Sequence, residues 1–296
     1  GLFIISIAVI LIITVLVVVG VGQRRVTLPI GIGGQIPVAR GGNGLRWIYF
    51  GVGISTLVLI ASLLWTMLTL AAINHPSEAP TVNIHITAQQ WWWKAEYLSD
   101  DPSQIVVTAN EIHIPVGQAI RIKLNSMDVI HSFWIPSLGG KTDVIPGQTN
   151  ITWLEADSPG RYRGQCTEYC GTQHAHMALF VVAESPVAFK RWLHQQLQDA
   201  PAPTSSQIDE GERLAVYHCG TCHSIRGTDA GGVVAPDLTH LMSRQTIAAG
   251  TLPNNIGYLS GWIANPQSSK PGNHMPVLYL SGAEFNDIRG FLETLK

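Results

Sequence analysis

The sequence predicts a three-part membrane protein: a hairpin of two apolar helices, a β-sandwich or barrel, and a small all-helical domain built round a cofactor. Three observations predict it. Two long uncharged apolar runs lie in the first quarter of the chain. Between about 81 and 185, short strand-like stretches are separated by Pro/Gly turns. In the last ninety residues a Cys-x-x-Cys-His box is followed by helical periodicity.

The chain has 296 residues, enough for two or three domains. A formal net charge of -2 gives no sign of a nucleic-acid partner. A charged fraction of 13% and a mean hydropathy of +0.19 point to a membrane contribution. The expected parts are a hairpin over 1–80, a β domain over 81–185, a helix and linker over 186–206, and a helical domain over 207–296.

Leu2 to Val21 is almost wholly apolar, with Ser6, Thr14 and Gly20 the mild exceptions, and is long enough to span a bilayer. A signal peptide has a shorter apolar core, and no small-residue cleavage site precedes Gln23-Arg24-Arg25. The sequence begins at Gly1, so a preceding segment is expected to have been removed or to lie outside it. Trp47 to Ala72 is the second span, giving helices over about 2–21 and 47–72. The loop between them carries Arg24, Arg25, Arg40 and Arg46 and no acid, which makes it cytoplasmic by the positive-inside rule. Both ends of the hairpin then face outside.

In the β domain, Ile120, Ile122 and Leu124 alternate with Arg121, Lys123 and Asn125, a half-buried strand. Thr152-Trp153-Leu154 and Ala178 to Val182 also read as strands. The chemistry is concentrated between Cys166 and Met177: Cys166, Cys170, His174 and Met177 within twelve residues, with Glu168 between the thiols. A disulfide between Cys166 and Cys170 is the plain alternative. The added imidazole and thioether favour metal, and soft thiolate and thioether beside imidazole suit copper. His176 is expected on the opposite strand face from His174 and is not counted as a ligand. His75, His85, His113 and His194 read as surface or packed histidines.

The segment C-x-E-x-C-x3-H-x2-M resembles the dinuclear copper (CuA) loop of cytochrome c oxidase subunit II. The run Asp128-Val129-Ile130-His131-Ser132-Phe133, with Pro136-Ser137-Leu138, Lys141-Thr142-Asp143 and Pro146-Gly147, resembles a second block of that family. The resemblance implies a cupredoxin-like Greek-key β-sandwich. It implies that Cys166 and Cys170 bridge two coppers and that His131 and His174 each bind one. Met177 and the backbone carbonyl of Glu168 are then the weaker ligands. It further implies magnesium at the border with subunit I, reached by the Glu168 side chain, and a buried acid, Asp128, near the copper. The family carries an acid near the cytoplasmic end of the second helix, at a proton-uptake entrance. This sequence has none from 22 to 77, which puts that role in doubt here.

Gln90-Trp91-Trp92-Trp93 resembles the family's Q-W-x-W, whose first Trp receives electrons from cytochrome c. Trp is also enriched at membrane boundaries, and the run follows the second span closely. In a strand, Trp91 and Trp93 share one face and Trp92 takes the other. Both readings of Trp91, electron port and interfacial anchor, stay open.

Ser185-Pro186 is an N-cap followed by Pro at the first helical position, opening a helix to about Gln198. Its packing positions are expected at Val187, Trp192, Leu193 and Leu197. Pro201 to Ser206 reads as a short stiff-then-flexible linker. Glu210 to His218 is expected to be a helix leading into Cys219-Gly220-Thr221-Cys222-His223, a c-type haem attachment box. Ser281 to Glu284 is a capping box, with Phe285, Ile288, Phe291, Leu292 and Leu295 on the buried side of the last helix. With Pro236-Asp237-Leu238 and Met275-Pro276, the domain resembles class I cytochrome c. That implies thioethers from Cys219 and Cys222, His223 as proximal iron ligand and Met275 as distal ligand. Met242, His240 and His274 are the rivals for the distal place. Such haem is attached outside the cytoplasm, in agreement with the hairpin.

Taken together, the resemblances imply the electron-transfer subunit II of a bacterial terminal oxidase with its own cytochrome c. Electrons would pass from an external donor, such as a cytochrome or an upstream respiratory complex, through haem c and CuA to subunit I. Subunit I, with the other oxidase subunits, would reduce oxygen to water and pump protons. The expected location is the bacterial inner membrane, with both cofactor domains on the periplasmic side. A subunit of a copper-containing nitric oxide reductase and a membrane-tethered copper carrier are the alternatives.

Overall fold

The computed structural model describes residues 2–22, 44–74, 76 and 79–296. Arg24, Arg25 and Arg40, on which the orientation of the hairpin was argued, lie outside these residues, as does His75. The chain divides into two compact units, Gly1–Met67 and Leu68–Lys296.

The first unit is helical. Helix α1 runs Leu2–Gly22 and α2 Gly44–Asn74, so Arg46 falls inside α2 and not in the loop before it. Windows of 20 and 27 residues in these helices are long and apolar enough to cross a membrane, where about 20 are needed. The Thr14 and Thr66 hydroxyls donate back to the Ile10 and Ser62 carbonyls at 2.8 Å. Their polarity is thus satisfied within the helix, which an apolar medium demands.

The second unit begins with a β-sandwich. Strands β1 (Val82–Gln89), β2 (Trp92–Tyr97), β3 (Val106–Ala109), β5 (Ile120–Ser126) and β8 (Asn150–Leu154) form one sheet, in the order β3-β2-β1-β5-β8. Strands β4 (Glu111–Pro115), β9 (Gly160–Gln165) and β10 (Ala178–Glu184) form the other, in the order β4-β10-β9. A short pair, β6 (His131–Phe133) and β7 (Thr142–Val144), stands beside them. Parallel neighbours β1/β5 and β4/β10 require crossovers between the sheets, the Greek-key feature of a cupredoxin-like sandwich. Period-two alternation sends Ile120, Ile122 and Leu124 inward, each fully buried, against Ile112, Ile114 and Val181. Each such side chain contributes roughly 1.5–3 kcal/mol through burial.

Helix α3 (Pro186–Gln196) packs against β3 and β4, with the Ser185 hydroxyl accepting from Ala188 N. Its buried anchor is Phe189, while Val187 is 70% exposed. Position 187 lies in the first turn, off the stripe formed by 189, 192, 193 and 197. Trp192 from that stripe stacks on His113 at 4.2 Å.

The helical domain is built on α4 (Ser206–Cys219), α5 (Ile256–Ala264), the short α6 (Pro266–Ser269) and α7 (Gly282–Leu292). Helix α4 starts four residues before the expected Glu210, because the Ser205 hydroxyl accepts from Ile208 N and caps it. The capping box of Ser281 and Glu284 opens α7. Helices α4 and α7 cross at Gly211, where a Cβ would collide with the Asp287 carbonyl. A two-strand hairpin, β11 (Thr246–Ile247) and β12 (Leu252–Pro253), projects from this domain.

Candidate metal and haem centres

The copper-type donors come from two chain segments brought together by strand pairing. Strands β9 and β10 are antiparallel, and Cys166 N donates to Met177 O at 3.0 Å, closing the loop between them at its base. Thr167 N donates to Ser132 O at 3.1 Å, which lays β6 and its His131 against the same loop. The two sulfurs stand 3.8 Å apart and form no disulfide. The Sγ of Cys166 lies 3.8 Å from His131 Nδ1 and 3.3 Å from the Glu168 carbonyl. The Sγ of Cys170 lies 3.5 Å from His174 Nδ1 and 3.8 Å from Met177 Sδ. His131, Cys166 and Cys170 offer donor atoms all within 4.8 Å of one another. The structure thus brings all six expected donors into one cluster, and Cys166, Cys170 and Met177 belong to the sandwich core.

Protonation favours a metal here. The hydrogen bond with Cys170 lowers the Cys166 thiol, against the opposing effect of burial, and His131 adds to the lowering. The Cys170 thiol is raised instead, because a second charge beside the Cys166 sulfur is disfavoured and burial adds to the penalty. Two thiolates at this separation become compatible once cations sit against them. The soft sulfur and imidazole donor set therefore fits copper.

Asp128 orients His131. Burial disfavours charge on both groups, but their mutual hydrogen bond, His131 Nε2 to Asp128 Oδ1 at 2.9 Å, helps lower the acid and raise the imidazole. With Nε2 held, Nδ1 is left facing the sulfur. The expected buried acid is half-exposed instead, with 29% of its side chain in solvent, because Asp128 sits on a turn at the rim. There it also accepts from Gln90 N and Val129 N, each at 2.7 Å.

Gln90 and Trp91 form the turn between β1 and β2, so the strand-face argument for the Trp run does not apply to Trp91. Trp91 is 7% exposed, and its indole Nε1 donates to the Cys170 carbonyl at 2.9 Å. Gly171 (φ 112) permits this approach: a Cβ there would stand 3.0 Å from Trp91 Cζ2. Trp93 is buried and packs edge-on to His131 and Phe133. Neither buried ring is available to a bilayer.

His176 lies in a single 3₁₀ turn, His174–His176, and not in a strand as expected. Its Nδ1 donates to Gln173 Oε1 at 2.7 Å, away from the sulfurs. His85 and His113 are engaged by Glu96 and Glu184. Glu168 and Tyr169 turn their side chains outward, Tyr169 being 76% exposed.

In the helical domain, Cys219, Cys222, His223 and Met275 line one cavity of about 380 Å³. His223 Nδ1 lies 2.6 Å from the Pro236 carbonyl, which can only accept, so that nitrogen carries the proton and Nε2 keeps its lone pair. Burial lowers the imidazole and keeps it neutral. Burial likewise raises the Cys219 thiol to about 11. Arg244, 8% exposed, also lines the cavity, and its Nε has no partner among the described residues. An anionic substituent such as a haem carboxylate would satisfy it, so the cavity fits covalent haem. His274 lines the cavity too, with its ring 5.4 Å from Trp91. Met242 and His240 do not line it: Met242 packs in the helical core, and His240 is tied to the Lys296 and Gln198 carbonyls.

Sequence reasoning missed the residues of this domain that reach the copper loop. Gln173 Nε2 donates to Pro271 O at 2.6 Å, and Ala178 N donates to Ala249 O at 3.0 Å. No local pattern signals contacts so far apart in sequence.

The family described as cytochrome c oxidase subunit II, periplasmic domain, matches residues 82–184, and the cytochrome c family matches residues 208–296. Cytochrome c oxidase subunit 2 of Alkalihalophilus pseudofirmus is 36% identical over 218 residues, which cover 73% of this chain and 62% of the relative. The subunit 2 of Bacillus sp. (strain PS3) is 33% identical, covering 73% of this chain and 63% of the relative. The chain thus spans a little over three fifths of the length of these curated relatives. The crystal structure of the periplasmic domain of cytochrome oxidase subunit II of Bradyrhizobium japonicum is 29% identical, with a TM-score of 0.38, covering 41% of this chain and 96% of that one.

Proposed function

We infer, from this chain's membership of the cytochrome c oxidase subunit II family with a cytochrome c domain behind it, that it is the electron-transfer subunit of a bacterial haem–copper oxidase. It receives electrons from an external donor and passes them to a catalytic subunit I, which reduces oxygen to water and pumps protons. When bound, haem c and dinuclear copper supply one-electron redox chemistry on the two sides of Trp91. The carrying observation is the placement of that residue. Trp91 lines the haem cavity and also donates its indole N–H to the Cys170 carbonyl.

The chain's own residues do the rest. Cys166, Cys170, His131, His174, Met177 and the Glu168 carbonyl hold the copper pair. Burial of His131, both thiols and Met177 to 3% exposure or less excludes water and favours retention over the exchange a copper carrier needs. Cys219 and Cys222 would attach the haem, and His223, with Nε2 free, and Met275 would hold its iron. His/Met ligation raises the haem potential, as suits a carrier feeding an oxidase. The outward Glu168 carboxylate suits a magnesium ion shared with subunit I. The two apolar helices suit a hairpin anchored in the bacterial inner membrane, and the family match suits cofactor domains on its periplasmic side.

Rapid mixing with a soluble donor tests this reading. Haem c is reduced first and copper follows. Copper reduction ahead of haem c contradicts it.

A further inference from the structure

The Pro201–Ser206 composition suits a loose tether, yet the two domains of the second unit are joined along a built seam. Its centre is Lys270, in the loop leading to Met275. Lys270 is 4% exposed, and its Nζ donates to the Trp91 carbonyl at 2.7 Å and to the Ala248 carbonyl at 3.4 Å. Among the described residues it forms no ion pair, and burial pushes its ammonium down to about 7. Burying an amine here is costly, and its hydrogen bonds to the two carbonyls offset that cost only while the seam is closed.

Independent contacts surround it. On one side, the Gln173 amide donates to Pro271 O, and the His274 ring faces that of Trp91. On the other, the β11–β12 hairpin tip places Ala248, Ala249 and Gly250 consecutively at positive φ (53°, 55° and 73°). Left-handed alanines are disfavoured and persist where packing over-determines them. Ala249 is 1% exposed and accepts from Ala178 N, the residue after Met177. Gln245 N donates to the buried Glu111 carboxylate at 3.2 Å. Even the start of the tether is held: Arg226 Nη2 donates to Gln198 O at 2.8 Å, and Ala200 N donates to Arg226 O at 2.9 Å.

We propose that Lys270 is a positioning residue that pins the loop bearing Met275 onto the backbone of Trp91, so that the haem domain works permanently docked and does not swing on its linker. This rests on the reading that residues 219–223 hold haem. A docked domain closes Trp91 to any external protein, so the donor must meet the exposed side of the haem domain.

The test uses the full chain loaded with haem and copper, in two arms. In the wild type, competitive acylation reads the exposure of each lysine amine. Once exposed, the Lys270 amine is solvated again and reacts like any surface lysine, so its labelling rate reports how often the seam opens. Lys270 is expected to label at least about tenfold more slowly than the exposed Lys123 and Lys141, as a seam that opens only rarely requires. In Lys270→Met, which keeps the stem and removes the donors, hydrogen exchange at the Ala178 and Gln245 amides is expected to rise about ten- to a hundredfold, as loss of buried hydrogen bonds implies. The haem-to-copper electron step, independent of solvent viscosity in the wild type, becomes viscosity-dependent in the variant. Rapid labelling of wild-type Lys270, or unchanged exchange in a Lys270→Met chain that retains both cofactors, overturns the proposal. The two deciding readouts, lysine labelling and hydrogen exchange, do not depend on electron transfer, and cofactor content measured in the same samples separately judges the functional reading.

Discussion

Asp128→Asn is the sharpest perturbation of the copper site that leaves every donor atom in place. In the native chain Oδ1 accepts from His131 Nε2 and Val129 N, and Oδ2 accepts from Gln90 N. An asparagine has one acceptor oxygen. If that oxygen keeps His131 and Val129, its NH2 confronts the Gln90 N–H, donor against donor. If it turns to Gln90, the NH2 confronts two donors. The first arrangement is the milder, and still orphans one backbone N–H at a cost of about 1–3 kcal/mol. It also reduces the His131 contact from a charge-assisted bond to a neutral one of about half the strength. Loosening the partner that orients a metal-binding histidine typically lowers metal affinity about 10–100-fold. That is about 1.4–2.7 kcal/mol of copper binding. Titration of the purified full chain against a copper chelator measures it, with haem absorbance as the internal control. Wild-type copper affinity in a correctly loaded Asp128→Asn chain would refute the reasoning.

Four further outcomes follow from the geometry. On the proposed reading Cys166 and Cys170 both bridge the copper pair, so Cys166→Ser or Cys170→Ser is expected to lose the pair and keep covalent haem; copper and haem assays on either variant check this. Met275→Ala lowers the haem midpoint potential and abolishes the sulfur-to-iron absorption band, whereas Met242→Ala leaves both intact, because only Met275 lines the cavity. Phe189→Ala destabilises the sandwich by about 3–5 kcal/mol, and Val187→Ala changes it by less than about 0.5 kcal/mol, as read by denaturant unfolding. Glu96 is held down to about 2, chiefly by its hydrogen bond with His85 and, against burial, by Lys94. Its folded value lies below its unfolded one, so its stabilisation is present above about 4.5 and fades as pH falls toward 2. Glu96→Gln therefore flattens that acid limb of the melting curve, and an unchanged limb would remove Glu96 from the account.

What could be read in the sequence was local. The Cys166–Met177 spacing reports donors that share one loop, and the alternation at Ile120, Ile122 and Leu124 reports one face of one strand. What could not be read depended on distant partners. Trp91 falls in a turn because β1 and β2 pair with Gln89 opposite Trp92, a register no single stretch reveals. His176 was expected outside the ligand set, but the strand face argued for it does not exist, because the chain takes a 3₁₀ turn before β10 begins. Val187 gave way to Phe189 because the sheet beneath α3 decides which stripe is buried. The seam at Lys270 joins positions 179 residues apart, and a lone lysine between Ser269 and Pro271 carries no local sign of burial.

The most direct test of the account is the cofactor content of the purified full chain, together with its copper resonance spectrum. Two non-exchanging coppers and one covalent haem per chain, with the unpaired electron shared by both copper nuclei, are the predicted result. A single or freely exchanging copper, or a localised signal with haem in place, would contradict it.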